Sequence, residues 1–434
     1  MTVAIKKQKN QRSEELWAKA QKLIPSGTQT FSKGPQQYVN GVAPKYVQRA
    51  KGSHVWDADG HEFVDFVLGL GPVILGYAYP RVDEAILRQL KDGISFPLMH
   101  PLEVELSEKL AELIPCAEMV RFGKNGSDAT AAAVRVARAH TKRDKVACCG
   151  YHGWQDWFIG STTRSQGVPE AVRKLTLPFK YNDIDSLQAL FDKNPGEIAA
   201  VILEPTLFVA PKDGFLEEVK ALAHKNGAVL IFDEVITGFR IALGGAQEYF
   251  GVTPDLATFG KALGNGMPIS AVVGKAEIMS KFNDVFFSFT FGGEALSLAA
   301  SLATLAELEE KKALTHVWKM GDMLRDGYNA IVKDLGLAET TRMIGYGFWP
   351  EMEFNGKDGK HSFPIQTLVT QELIKRGILT RAGMVLCYSH TPEDIKKTLA
   401  AQGEALEILK DALKAGDVEA RLEGELIPPV IRAS

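Results

Sequence analysis

Two short segments of this chain carry residue types that could do chemistry at one shared place. The apolar run Ala228-Val229-Leu230-Ile231-Phe232 ends in Asp233, and 28 positions later Lys261 lies on a glycine-flanked turn. An apolar run of strand length places its terminal carboxylate at the carboxyl edge of a sheet, where open α/β folds hold ligands. An amine opposite a carboxylate that can keep a pyridine nitrogen protonated is the pairing that pyridoxal phosphate (PLP) chemistry requires. A plain Asp–Lys salt bridge is the alternative for this pair alone.

Two earlier segments could complete such a site. Gly126-Ser127 follows a short strand and begins an alanine-rich helix, so its N–H groups, its hydroxyl and the helix dipole suit a phosphate. An ordinary helix N-cap is the alternative at this position. Tyr151 lies just past the strand predicted at Lys145–Cys149, where its ring could stack on a flat heteroaromatic group or serve only loop packing.

Further residues are expected at the same sheet edge. Glu204 ends an apolar strand and Pro205 blocks its continuation, so the carboxylate is expected to point into the same crevice. The segment Ser288–Glu294 precedes another small-residue helix and is a second candidate anion site. Because this segment lies far along the chain from the first helix start, both could serve one phosphate only through folding or dimerisation. Burial of Lys261 near other positive groups would lower its pKa, which suits a Schiff-base nucleophile.

The elements that position these residues alternate between helices and short apolar strands. Helices are predicted near residues 12–24, 81–92, 102–114, 127–140, 183–193, 215–226, 294–312, 315–334, 365–376 and 392–414. Strands are predicted near residues 46–49, 54–66 (a hairpin), 119–122, 145–149, 199–204, 228–233, 256–258, 271–274, 343–354, 378–380 and 385–388. This alternation favours an α/β fold with a mainly parallel sheet covered on both faces. We expect a large α/β domain at 76–315 and a smaller α+β domain that both termini form, from residues 1–75 and 316–434.

Composition and charge restrict the possible partners. The 434 residues carry a formal net charge of −3, so no global field would attract nucleic acid or an anionic membrane. No apolar run is long enough to predict a membrane span, and no signal peptide is recognisable. The four cysteines lack metal-ligand spacing, and His100 with Glu103 make too few ligands for a metal. We therefore expect free core thiols, no metal, and a cytoplasmic location.

Taken together, these segments resemble the class III (ornithine/GABA-type) PLP-dependent aminotransferases. Within that family the chain looks most similar to the glutamate-1-semialdehyde 2,1-aminomutase-like branch. The resemblance covers almost the whole chain, and its most specific stretches are Val55-Trp56-Asp57-Ala58-Asp59-Gly60, Tyr151-His152-Gly153, Phe232-Asp233-Glu234-Val235, Thr237-Gly238-Phe239-Arg240, and Gly260-Lys261 with Gly266-Met267-Pro268. It implies fold type I, pyridoxal 5′-phosphate as the cofactor, and a homodimer.

The resemblance implies roles around the cofactor ring. Lys261 would hold the cofactor as a Schiff base. Asp233 would pair with the pyridinium nitrogen and keep it protonated, so that the ring can accept electrons. Val235 and Tyr151 would pack on opposite faces of the ring.

The resemblance also implies the phosphate and substrate contacts. Gly126 and Ser127 would bind the phosphate, which Thr290 would reach from the neighbouring subunit. Glu204 matches the acidic residue of a Glu-Pro segment close to the substrate. The family chemistry passes the amino group of a donor through pyridoxamine phosphate to a carbonyl acceptor.

Departures from the aminomutase pattern concern the substrate. Lys33 stands where the aminomutase has an arginine that grips the substrate carboxylate, and a lysine cannot offer a planar bidentate fork. Leu70 stands where the aminomutase has a tryptophan. Arg381 could bind a carboxylate, or it could be an exposed loop arginine.

These departures favour an aminotransferase over an aminomutase. We expect glutamate as the donor, as in the family, and an acceptor without a simple α-carboxylate, such as an oxo sugar, a sugar nucleotide or an amino aldehyde. Glutamate-1-semialdehyde 2,1-aminomutase is the alternative. A non-catalytic fold relative that acts as a binding protein is the alternative from another class.

Overall fold

The computed structural model describes residues 10–206 and 208–428 of the chain. The backbone divides into two units, each described here by itself. Of the described residues, the small unit contains 10–79 and 315–428, and the large unit contains the described part of 80–314.

The described helices and strands follow one another in an alternating order. The α-helices are α1 (Gln11–Leu23), α2 (Pro80–Asp92), α3 (Pro101–Leu113), α4 (Gly126–Thr141), α5 (Asp156–Ile159), α6 (Glu170–Arg173), α7 (Ile184–Lys193), α8 (Phe215–Lys225), α9 (Ala246–Phe250), α10 (Ala276–Met279), α11 (Ala295–Glu310), α12 (Ala313–Leu335), α13 (Phe363–Lys375) and α14 (Pro392–Ala415). The strands are β1 (Val47–Lys51), β2 (His54–Asp57), β3 (Glu62–Asp65), β4 (Met119–Gly123), β5 (Lys145–Cys149), β6 (Thr176–Pro178), β7 (Ile198–Leu203), β8 (Val229–Asp233), β9 (Leu256–Phe259), β10 (Ser270–Gly274), β11 (Thr341–Tyr346), β12 (Trp349–Phe354) and β13 (Ile378–Leu379).

The large unit is built on a seven-stranded sheet in the order β4-β10-β9-β8-β7-β5-β6. Strand β10 pairs antiparallel with both of its neighbours, and the other pairings are parallel. Every residue of β7, β8 and β9 is buried, as expected when helices cover both faces of a parallel sheet. The prediction of a mainly parallel α/β sheet is confirmed.

Helix α4 covers one face of this sheet with small side chains. Its Ala132, Ala133 and Val136 are buried in one cluster with Ile202 of β7 and Ile231 of β8. Alanines let the helix axis lie close to the strands. The start of α4 is thereby held beside the carboxyl ends of the central strands.

The small unit joins the two ends of the chain in one sheet of order β1-β2-β3-β13. Strands β2 and β3 form the predicted hairpin, whose turn is fixed because the Asp57 carboxylate accepts the N–H groups of Asp59 and His61. Strand β13 pairs parallel with β3 through Ile378↔Val64. A smaller α+β unit formed by both termini is thus confirmed.

Two strand predictions in the small unit are wrong. The segment 343–354 is two antiparallel strands, β11 and β12, because the chain reverses between Tyr346 and Trp349. Residues 385–388 form no strand, because their N–H groups donate to three separate segments. Val385 donates to Phe66 O, Leu386 to Phe348 O, and Tyr388 to Ile74 O.

The cysteines and the helices bear on two other predictions. All four cysteines are buried and unpaired, as predicted, and burial raises the pKa of the Cys148 thiol to about 12. Among the helices of the described residues, none is long and apolar enough to cross a membrane.

His100 caps helix α3, where its ring accepts the N–H of Leu102 and Glu103 accepts the N–H of His100.

Candidate active site

Asp233 ends strand β8 at the carboxyl edge of the large sheet, and it is 3% exposed. Its Oδ1 accepts the N–H of Val235 at 3.2 Å and the hydroxyl of Thr258 at 3.0 Å. Its Oδ2 lies 2.8 Å from Nδ1 of His152. A buried carboxylate with these three partners is held in one orientation.

His152 is 1% exposed and its two ring nitrogens have different partners. Nε2 lies 3.2 Å from the backbone oxygen of Cys149. Through these two contacts the ring connects the Asp233 carboxylate to the backbone at the end of β5. The ring also packs against Trp157 and Phe158.

Lys261 follows β9 and begins a short 3₁₀ turn that ends at Gly264. Its φ is +41°, a left-handed value that a lysine rarely adopts and that costs on the order of 1–3 kcal/mol. Burial lowers the pKa of its ammonium, and the neighbouring charges of Glu204 and Asp233 offset this only in part, while Arg240 adds to it. The amine is therefore prepared to lose its proton near Asp233.

Glu204 follows β7 directly, and its Oε2 accepts the N–H of Tyr151 at 2.8 Å. Gly150 leaves room for this carboxylate, because a β-carbon there would lie 2.5 Å from Oε2. Burial and the charge of Asp233 together raise the pKa of Glu204 to about 7, against the opposing effects of His152, the Tyr151 N–H and Lys261. Glu204 therefore belongs to the same charge cluster and is half protonated near neutral pH.

The start of helix α4 forms a glycine-lined cradle next to this cluster. A β-carbon at Gly126 would lie 2.8 Å from Cγ1 of Val235, and one at Gly153 would lie 2.5 Å from Cβ of Ser127. The Asp128 carboxylate accepts the Asn125 N–H at 2.7 Å and so closes the first turn from outside. Within the described residues, the N–H groups of Gly126 and Ser127 have no protein acceptor.

Tyr151 and Thr290 lie at the surface of the large unit. Tyr151 is 60% exposed, and its ring meets Phe158 edge-on at 5.6 Å between centroids. Thr290 lies on an exposed turn before helix α11. The structure corrects the prediction of an anion site at the start of α11, because the Glu294 carboxylate already accepts the N–H groups of Leu296 and Ser297.

The structure thus brings together most of the predicted residues of the large unit. Asp233, Lys261, Glu204 and the Tyr151 backbone share one charge cluster, and Val235 connects it to Gly126. The predicted residues Lys33, Leu70 and Arg381 belong to the small unit.

Within the small unit, the predicted substrate residues lie on neighbouring segments. Lys33 ends an exposed 3₁₀ turn, and Gln37 follows it four residues later. Arg381 donates from Nη2 to Oε1 of Gln37 at 3.0 Å, so its guanidinium is oriented and only partly exposed. Leu70, with φ +78°, packs against a cluster that contains Val39.

Sequence reasoning did not find two partners of Asp233. His152 stands 81 residues before it and Thr258 stands 25 residues after it. Thr258 lies in β9, which pairs with β8, and His152 follows β5, which β7 separates from β8. Strand order was the signal that could have found them. Pairings across a sheet are not readable from local pattern, because they depend on which strands become neighbours.

Comparisons with known proteins agree with this architecture. Residues 37–413 match the family described as aminotransferase class-III. The chain is 39% identical over 419 residues to glutamate-1-semialdehyde 2,1-aminomutase of Acetivibrio thermocellus, covering 89% of this chain and 96% of that protein. It is 37% identical over 412 residues to 3-aminobutyryl-CoA aminotransferase of Cloacimonas acidaminovorans, covering 93% of this chain and 98% of that protein.

A solved structure matches the fold over nearly the full length. The PLP internal aldimine form of the FumI protein of Sphingopyxis sp. MTA144 superposes with a TM-score of 0.87 at 29% identity, covering 93% of this chain and 98% of that chain. The fold and the charge cluster define a fold type I PLP-dependent transferase. The chain belongs to the class-III aminotransferases. The family resemblance inferred from the sequence is confirmed.

Proposed function

We propose that this protein is a PLP-dependent aminotransferase that moves an amino group from an amino acid donor, glutamate, to an oxo or aldehyde acceptor. The observation that carries the proposal is the buried cluster of Asp233, Lys261 and Glu204 at the strand ends. It holds a fixed carboxylate, an amine of lowered pKa and an acid of raised pKa. Opposed shifts of this kind are typical of groups that exchange protons during a reaction.

The described residues fit PLP, which supplies an electron sink for the carbanion left when the amine-bearing carbon loses a proton. Asp233 would face the ring nitrogen, and Lys261 would bind the aldehyde carbon. Gly126 and Ser127 offer the phosphate N–H groups that have no protein acceptor among the described residues, and a β-carbon at Gly126 would collide with Val235. Val235 and Tyr151 would enclose the ring.

The residues around the cofactor would have different roles in holding and transferring protons. His152 and Thr258 keep the Asp233 carboxylate oriented, so that it could pair with a protonated ring nitrogen. Lys261, once freed, accepts the proton from the donor's α-carbon, because burial lowers the pKa of its ammonium. Glu204 can hold or release a proton beside it near neutral pH.

We propose that two subunits complete the site. Thr290 lies on an exposed turn, where it could reach the phosphate of a neighbouring subunit. Exposed apolar residues of the large unit, among them Leu98, Met99 and Phe286, are the kind that a second copy would cover. We place this homodimer in the cytoplasm, because its four cysteines are unpaired.

The acceptor is proposed to lack a simple α-carboxylate, as in an oxo sugar or a sugar nucleotide. Lys33, Leu70 and Arg381 are the proposed substrate residues. Lys33 offers a point charge instead of a bidentate fork, and Arg381 is engaged with Gln37. Lys33 therefore offers no bidentate clamp, and Gln37 takes one N–H of the Arg381 guanidinium.

Glutamate-1-semialdehyde 2,1-aminomutase is the second candidate function. It is supported by the 39% identity to a protein of that name. The two functions differ in one requirement, since an aminomutase needs no external amino donor.

A spectral half-reaction screen tests the proposal. Holoprotein is mixed with glutamate, alanine or other donors, and the visible absorbance of the bound cofactor is followed. Loss of that absorbance with a donor, and its return with oxo sugar acceptors, is the expected result. No response to any donor together with consumption of glutamate-1-semialdehyde would establish the aminomutase instead. Borohydride reduction and peptide mapping should find the cofactor on Lys261, and no adduct would indicate a non-catalytic binding protein.

A further inference from the structure

Lys124 and Glu294 form an ion pair that the proposed chemistry does not use. Nζ of Lys124 lies 3.0 Å from Oε2 of Glu294, and the two side chains are only 15% and 11% exposed. Ion pairs so far from water are rare unless each charge has a specific partner. The two residues are 170 positions apart, so the contact exists only through the fold.

Each partner stands next to a segment with a proposed role in phosphate binding. Lys124 lies two residues before Gly126, and its N–H donates to the Asp128 carboxylate at 3.2 Å. Glu294 lies four residues after Thr290, at the end of the same turn. The pair therefore connects the cradle at the start of α4 to the turn that carries Thr290.

Glu294 is also tied to its own helix. Its carboxylate accepts the N–H of Leu296 at 2.7 Å and the hydroxyl of Ser297. Burial alone would raise the pKa of Glu294, but the hydrogen bonds from Ser297 and Lys124 lower it. A charged carboxylate with this many donors has little freedom to move, so it is a rigid anchor for Lys124.

The Thr290 turn is held at this anchor. The Glu294 N–H donates to Phe291 O at 3.2 Å, and the Gly292 N–H donates to Phe289 O at 3.1 Å. A β-carbon at Gly293 would lie 2.5 Å from Oε1 of Glu103. The turn is thus closed by its own backbone bonds and packed against helix α3.

We propose that the Lys124–Glu294 ion pair is a positioning unit for the cofactor phosphate. It fixes the N–H groups of the α4 start relative to the turn that bears Thr290. In the proposed dimer this links the cradle of one site to the residue that the same subunit lends to its neighbour. The inference rests on the proposed function, since it requires a phosphate-bearing cofactor at Gly126-Ser127.

Two variants separate the loss of one charge of the pair from the loss of both charges. Lys124→Met removes the ammonium and leaves the Glu294 carboxylate unpaired near the phosphate, where like charges repel. Lys124→Met combined with Glu294→Gln removes both charges and keeps an oxygen that can accept the helix N–H groups. The double variant should therefore lose no further phosphate affinity beyond the loss in the single variant.

The test measures binding of PLP and of pyridoxal, which lacks the phosphate, to each apoprotein. Lys124→Met should weaken PLP binding about tenfold, which corresponds to about 1.4 kcal/mol, with pyridoxal binding unchanged. The double variant should show a loss of PLP affinity of about the same size, because the two residues act as one unit. Lys124→Gln serves as a second variant in case Lys124→Met does not fold.

Lys275→Met is the matched control. Lys275 forms a 2.7 Å pair with Asp255, a carboxylate that also accepts a backbone N–H in the large unit. It should alter thermal stability and leave the ratio of PLP to pyridoxal affinity unchanged. The inference would be overturned if Lys124→Met weakened the binding of PLP and of pyridoxal equally, or if the control changed the ratio of the two affinities as much. It would also be overturned if the losses of PLP affinity were additive in the double variant. Absence of a wild-type adduct on Lys261 would instead contradict the proposed function.

Discussion

Each unit of this protein buries an aspartate against a histidine, and the two pairs have different surroundings. In the large unit, Oδ2 of Asp233 lies 2.8 Å from Nδ1 of His152. In the small unit, Oδ1 of Asp394 lies 3.0 Å from Nε2 of His54. The local contact is nearly the same, so the difference between the units comes from the next neighbours.

The neighbours of Asp394 satisfy it completely. Its Oδ2 accepts the Ser53 hydroxyl, the Thr391 N–H and the Thr391 hydroxyl, each at 3.0 Å. Although burial opposes the shift, these bonds and the His54 contact hold the pKa of Asp394 far below its usual range. This is an acid that is kept charged, and its charge stabilises the fold.

The ionisable neighbours of Asp233 instead have pKa values that are shifted toward their uncharged forms. Burial raises the pKa of Glu204 to about 7 and lowers the pKa of Lys261. Both groups lie within electrostatic reach of Asp233. Buried charge alone therefore does not mark the active site, whereas opposed shifts around one fixed carboxylate do.

Removal of Lys261 should have the largest effect on the reaction rate. Lys261→Ala should lower the rate of the donor half-reaction by about 10⁴-fold or more, because the nucleophile and the base are lost together. Stability of the apoprotein should not fall, since the lowered pKa means that folding disfavours the charged amine. Stopped-flow absorbance and thermal unfolding measure the two effects. Lys275→Ala is the control, and a comparable rate loss there would count against the assignment.

The two aspartates should respond in opposite ways to the same substitution. Asp233→Asn should lower the half-reaction rate per folded molecule by about 10³-fold, because the ring nitrogen loses its carboxylate partner. Asp394→Asn should lower the unfolding free energy by about 2–3 kcal/mol, because an amide cannot accept all four donors. Its rate per folded molecule should stay near the wild-type value. Parallel losses of rate and stability in both variants would contradict the contrast.

Much of the large unit was predictable because its signals are local. Strands β7 and β8 are continuous apolar runs that end at Glu204 and Asp233, and buried parallel strands have that pattern. A β-carbon at Gly126 would lie 2.8 Å from Cγ1 of Val235, and one at Gly264, three residues after Lys261, would lie 2.8 Å from Cγ2 of Ile269. The chemistry therefore followed from residues whose roles are visible within a few positions.

The rest depends on contacts between distant segments. The contact of His152 with Asp233 and the capping of α11 by Glu294 with Lys124 join residues 81 and 170 positions apart. The segment 385–388 has the composition of a strand, but its N–H groups find acceptors in three different segments. The sequence pattern shows that such a segment tends to be extended, and only the fold decides which acceptors its N–H groups find.

The smallest expected effect is on the pH dependence of the unfolding free energy. The folded apoprotein holds the Glu204 proton up to a pKa of about 7, from an ordinary value of 4.5. This contribution is fully present below pH 4.5 and is lost as the pH rises through 7. Between pH 5 and pH 8 the wild type should therefore lose about 2–3 kcal/mol relative to Glu204→Gln, which has no proton to release. Urea unfolding of both apoproteins measures the difference, and parallel curves across that range would show that Glu204 ionises as freely in the fold as outside it.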